Sequence, residues 1–180
     1  MSEDTSVYLR KKAEPLLPHR SYPSKEELAG KTEEEIKAIY QEIDSYNDSA
    51  YDSLGCKVIS LTTTPSRQLE VLPWSDKPVP LTKEMLDEII DFYNDEIASY
   101  QVKVSEIQEE MERHERRIVK VGYDLYKKID EEIVGCKDSI KCFKEEMEEL
   151  EYYRSRFSFL RQILSWKSRA ERYELIYTKC

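Results

Sequence analysis

From Leu86 onward, apolar residues recur at alternating steps of three and four. One row of positions seven apart is Leu86, Tyr93, Tyr100, Ile107, His114 and Val121; the other is Ile90, Ile97, Val104, Met111, Ile118 and Leu125. Only His114 is polar. Side chains at that spacing fall on one line of an α-helix. A line kept for about six heptads marks a helix whose seam is covered by another helix. A second tract follows in shifted phase, with Ile129, Cys136, Phe143, Leu150, Phe157 and Leu164 in one row and Tyr126, Ile133, Ile140 and Met147 in the other. Thr82 is placed to cap the first of these helices, and no proline, the commonest helix stop, occurs after Pro80.

This pattern predicts a mainly α protein with long coiled-coil helices in its C-terminal half, as a helical hairpin or one extended helix over 82–180. The seam comprises Leu86, Ile90, Tyr93, Ile97, Tyr100, Val104, Ile107, Met111, Ile118, Leu125, Ile133, Ile140, Phe143, Met147 and Leu150. Closing it between copies of the chain would give a homo-oligomer, a dimer or higher.

Two places offer a turn. The phase shift falls near Gly122, and Gly135-Cys136-Lys137-Asp138-Ser139 could end one helix and cap the next. Charge separates the two. Residues 83–112 carry ten acids and two bases, and 130–151 carry nine acids and three bases, whereas 113–128 carry six bases and two acids and 152–180 seven bases and two acids. Folding at 135–139 sets acidic blocks against basic ones, while folding at Gly122 sets acids against acids. The charge pattern therefore favours 135–139. An unbroken helix, about 140 Å long at 1.5 Å per residue, is the alternative.

The N-terminal half changes period. Ile36, Ile39, Tyr40, Ile43, Tyr46 and Ala50 make one helical stripe, opened by the capping box Thr32-Glu33-Glu34-Glu35 and closed by Gly55. Ser24-Lys25-Glu26-Glu27 has the same capping form ahead of a short turn. Lys57–Thr63 is rich in β-branched residues, and Gln68–Leu72 alternates. With Thr64-Pro65-Ser66-Arg67 between them, they predict a small β-hairpin over 57–72. Pro73, Pro78 and Pro80 form a stiff connector around Trp74. The domains expected are an extended arm over 1–23, a small head over 24–81 and the helical region over 82–180.

Composition fits a stripe better than a large core, with 39% hydrophobic and 36% charged residues. The formal charge of −9 disfavours general binding to nucleic acid, and leaves room for local basic patches. No apolar run approaches the ~18 residues of a membrane span. The N-terminus lacks an apolar signal core. An intracellular location, cytoplasm or nucleus, is the expectation.

Candidate chemistry is sparse. His114, polar in the seam, reads as a metal-binding or pH-sensitive residue, or as one that sets helix register. His114-Glu115-Arg116-Arg117-Ile118 has no second histidine. No two of Cys56, Cys136, Cys142 and Cys180 stand at Cys-x-x-Cys spacing. Register is the reading these spacings favour, and no catalytic residue, metal ligand or cofactor site is expected. The C-terminal stretch interleaves basic and aromatic residues, and Arg154, Arg156, Arg161, Trp166, Lys167, Arg169 and Arg172 are its candidate contacts for a protein or a nucleic acid.

The function expected is a non-enzymatic coiled-coil protein that oligomerises and binds another protein, as scaffold, adaptor or assembly factor. A nucleic-acid-associated protein using the Arg/aromatic C-terminal helix is the second reading. An acidic, virus-type inhibitor of a nucleic-acid-processing enzyme is the third.

Overall fold

A computed structural model of the chain describes residues 3–63 and 69–180, with Glu3 and Thr63 placed by backbone alone. The chain is mainly helical, with one four-stranded antiparallel sheet. It divides into two compact units. The first comprises residues 1–85 and 162–180, and the second residues 86–161.

The first unit is built on the sheet. Strand β1 (Glu3–Lys11) lies between β2 (Cys56–Thr63) and β4 (Tyr173–Lys179), and β3 (Ser75–Pro80) is the other edge, in the order β2-β1-β4-β3. Asp4 and Cys180 exchange both backbone hydrogen bonds, at 2.9 and 3.0 Å, so the two ends of the chain meet in the sheet's centre. Val7 and Tyr8 of β1, and Leu175, Ile176 and Tyr177 of β4, are buried at successive positions. Both faces of these central strands are therefore covered, which selects runs of β-branched and aromatic residues.

Residues 3–11 of the expected arm are thus a strand. The rest of that segment runs beside α2 (Glu33–Asp52). Arg20 exchanges two hydrogen bonds with Asn47, and its guanidinium lies 3.8 Å from the centre of the Tyr46 ring. Tyr22 packs on Tyr40 at 5.4 Å. The arm covers the α2 stripe in place of a second helix. Both predicted capping boxes close, at Ser24/Glu27 opening α1 (Lys25–Leu28) and at Thr32/Glu35 opening α2. Gly55 turns the chain from α2 into β2 at φ +86, where a Cβ would stand 2.5 Å from Leu9 O. Only glycine suits that turn against β1.

Three expectations are corrected here. The β-hairpin over 57–72 does not form among the described residues: β2 pairs with β1, and 69–72 are a turn. Leu69 and Leu72 are both buried three residues apart in a turn, with Leu72 N–H donating to Leu69 O. A step of three places both leucines on one side of a turn, whereas in a strand they would point to opposite faces. The expected turn at 64–67 lies outside the described residues. The proline connector is instead edge strand β3, whose unpaired side tolerates Pro78 and Pro80. Finally, the helical region stops at Ser165. After α5 (Lys167–Ala170), Tyr-Glu-Leu-Ile-Tyr-Thr-Lys forms β4. Lys179 is buried there and donates to the carbonyls of Leu69 and Leu72, both at 3.2 Å.

The second unit is a helical hairpin of α3 (Lys83–Ile118) and α4 (Tyr123–Ser165), each running a little beyond it at the end away from the turn. The Thr82 hydroxyl accepts from Met85 N–H at 3.2 Å, as its sequence position predicted. Cross-helix pairs fix an antiparallel arrangement: Asp87 with Arg161, Asn94 with Arg154, Tyr100 with Phe143, His114 with Glu132. The reversal is at 119–122, and the favoured turn at 135–139 is corrected, since α4 runs through Gly135 without a break. Charge does not forbid this. Most acids of the two blocks are exposed, and unlike charges meet at the ends, Asp87 with Arg161 and Arg117 with Glu132. Exposed ion pairs contribute at most about 1 kcal/mol each. Burying a large apolar side chain contributes roughly 1.5–3 kcal/mol. The apolar rows therefore decide the register.

Candidate functional site

The seam residues fall mostly inside this hairpin. Leu86, Tyr93, Ile97, Val104, Ile133, Ile140 and Leu150 are buried. Ile90, Tyr100, Ile107, Met111, Ile118, Phe143 and Met147 are half-buried, and Leu125 is exposed. Tyr93 stacks on Phe157 at 5.8 Å and on Tyr153 at 6.3 Å. Burial, then the neighbouring Tyr153 and Glu149, push the Tyr93 phenol well above its ordinary range. Burial, Glu149 and Tyr152 act likewise on Tyr153.

The C-terminal contact candidates separate. In the second unit, Arg161 is paired with Asp87, and Arg154 donates to Asn94 at 3.4 Å; Arg156 is half-buried. In the first unit, Trp166 is 52% exposed with the Arg169 guanidinium 5.1 Å from its ring. Arg169 and Arg172 come together with Ser168, Tyr173, Leu9 and Ile163 around an open cleft of about 460 Å³. Lys167 is exposed. Two of the seven thus serve as cross-helix contacts and two line a shared cleft.

A surface absent from the sequence-based candidates lies at the hairpin tip. Val119 is 83% exposed and Tyr123 82%, with Leu125 and Tyr126 also open to solvent. Arg116, Arg117, Lys120, Lys127 and Lys128 are exposed around them. Arg116 and Arg117 reach Glu112 and Glu132. Lys120, Lys127 and Lys128 enter no ion pair among the described residues. The signal was present as the basic run 113–128 around the phase shift at Gly122. Reading Leu125 and Tyr126 as seam positions hid it.

One convergence of possible metal donors occurs among the described residues, below the tip. A carboxylate oxygen of Glu110, a ring nitrogen of His114 and the thiol of Cys136 all lie within 4.8 Å of one another. His114 Nε2 is 3.5 Å from Glu110 Oε1, and Nδ1 is 3.1 Å from Glu132 Oε2. Burial above all, then Glu110 and Glu132, raise the Cys136 thiol pKa. No helix is long and apolar enough to cross a membrane among the described residues. No protein-family model, curated protein or solved structure matches the chain.

Proposed function

We propose that the chain is a non-enzymatic binding protein whose helical hairpin presents its tip, residues 119–128, to an acidic segment of another protein. The observation that carries this reading is the exposure of Val119 and Tyr123, 83% and 82%, beside the exposed Lys120, Lys127 and Lys128. Large apolar side chains left that open at the end of a packed hairpin contribute nothing to its core. Aromatic residues ringed by cations are the composition of interface hot spots and of acidic-partner recognition. The whole chain carries −9, so the basic tip also orients encounter, since an acidic partner is repelled elsewhere.

The coiled-coil reading fits the antiparallel pair α3/α4 within one chain. Homo-oligomerisation would then need a surface other than the seam, because its deepest residues are buried by the chain's own fold. The nucleic-acid reading is weaker at Arg154 and Arg161, whose guanidiniums engage Asn94 and Asp87.

Photo-crosslinking from positions 119 and 123, with 99 on α3 as a remote control, identifies a partner that touches the tip. Affinity for that purified partner is then measured. Tyr123→Ala is expected to weaken it by tenfold or more, and Lys127→Glu with Lys128→Glu to weaken it further while flattening its salt dependence. A partner bound equally well by both variants defeats the reading. So does duplex or single-stranded nucleic acid binding more tightly than any protein, with a steep salt slope.

A further inference from the structure

Glu110 and His114 stand one turn apart on α3, and Glu132 and Cys136 stand one turn apart on α4. The hairpin brings the four together near the end of α3. The His114 side chain is 15% exposed and Cys136 9%. His114 Nδ1 and Glu132 Oε2 face each other at 3.1 Å, sealed from solvent, yet neither makes a hydrogen bond. A buried ring nitrogen that close to a carboxylate oxygen is satisfied only when it carries the proton.

We propose that this constellation is a zinc-type divalent metal site, with Glu110, His114 Nε2 and Cys136 Sγ as ligands and Glu132 as the carboxylate that fixes the imidazole. The donor set is one thiolate, one imidazole and one carboxylate. Thiolate and imidazole select zinc over magnesium or calcium, which require oxygen donors. The spacing fits: two donors each about 2.0–2.1 Å from a tetrahedral zinc stand roughly 3.4 Å apart, and His114 Nε2 to Glu110 Oε1 is 3.5 Å. Cys136 offers its thiol within the same 4.8 Å span.

The carboxylate behind the ring completes the case. A histidine bound to a metal through one nitrogen carries its proton on the other and gives it to a carboxylate, which sets the tautomer and the ring's direction. Glu132 occupies that place behind Nδ1. Metal at Nε2 fixes the tautomer in which Nδ1 carries the proton and donates it to Glu132. An unmetallated, protonated His114 between two glutamates would account for the carboxylates and leave the buried thiol without a role. Glu110 is exposed, so the ion has a path in, and a water can take the fourth position. Binding displaces the Cys136 proton to solvent, and the two anionic ligands balance the divalent charge. The ion joins α3 to α4 just below the turn.

The test uses the reduced, metal-free full chain carrying Cys56→Ser, Cys142→Ser and Cys180→Ser, since those three thiols are exposed. Titration with Co²⁺ is followed by absorbance. One cobalt per chain is expected, with thiolate-to-cobalt charge transfer and tetrahedral d–d bands that Zn²⁺ erases. Cys136→Ser is expected to abolish the charge-transfer band. Glu110→Gln should weaken binding at least tenfold, and Glu132→Gln by about 10–100-fold. Absence of cobalt bands at stoichiometric metal overturns the site. A charge-transfer band that persists in Cys136→Ser, or binding indifferent to Glu110→Gln at an exposed position that folding does not need, overturns it equally. None of these readouts involves a partner at the tip, so the outcome is independent of the proposed function.

Discussion

Tyr93 lies in the core of the hairpin, 3% exposed and stacked on Tyr153 and Phe157. Its phenol is hard to ionise there. An unfolded tyrosine loses its proton near pH 10, whereas the folded Tyr93 keeps it to a higher pH because burial disfavours the anion. A raised folded pKa means the unfolded chain releases the proton first. The stabilisation is complete below about pH 10 and is lost as pH rises toward the folded value. Urea midpoints are accordingly expected to fall progressively as pH rises above about 10, and Tyr93→Phe should remove most of that fall. Tyr153 and Tyr177, shifted in the same direction mainly by burial, contribute to what remains. A variant as pH-sensitive as the parent would place the titrating group elsewhere. The stripe that identifies Tyr93 as a core residue is readable in the sequence. Its aromatic partners are not, because Tyr153 and Phe157 meet it only once the turn is known.

At the scale of elements, the legible features were those whose signals are local. Helix periodicity, the two capping boxes and the Thr82 cap each depend on residues within one turn of one another, and each has its counterpart in the structure. The strands were legible only where β-branched residues cluster, at 57–63. Tyr173–Lys179 was concealed by following a long helix, and its strand state depends on partners at the other end of the chain. Block charges point to the wrong turn because exposed charges are screened and weak, whereas the apolar phase shift near Gly122 falls at the reversal. Gly135 discriminates directly between the two turns. It lies within α4, and a Cβ there meets nothing within 4 Å. Gly135→Ala is expected to raise stability by about 1 kcal/mol, as at an exposed helix interior. Were the chain to reverse at 135–139, the same change would remove the residue best suited to end the helix and would destabilise. The urea midpoint of the single variant decides the matter. The hairpin tip and the Glu110–His114–Cys136 cluster escaped sequence reading for the same reason as the aromatic stack, since both come into being only when 119–122 is the turn.

For the whole molecule, the notable feature is that the first and last strands pair. Asp4 bonds Cys180 across nearly the full length of the chain, and β4 stands between β1 and β3. The sheet therefore closes only once the C-terminus is present, a pairing of long sequence separation that slows folding. The hairpin of 86–161 depends on contacts within its own span and carries none of that constraint. Removing residues 173–180 takes away Leu175, Ile176 and Tyr177, buried at 2%, 2% and 0% exposure. At roughly 1.5–3 kcal/mol each, their loss is comparable to the entire stability of a typical domain, about 5–15 kcal/mol. It also leaves β3 without a neighbour. The truncated chain is thus expected to lose amide-exchange protection across 3–11, 56–63 and 75–80. Protection should persist around Ile97, Val104, Ile133 and Ile140, with most of the helical circular dichroism retained. Full protection in the strands would show that β4 is dispensable to the sheet. Loss of protection in both units together would show that the hairpin folds only with the sheet, and the tip and metal variants would then have to be interpreted as perturbations of one cooperative fold.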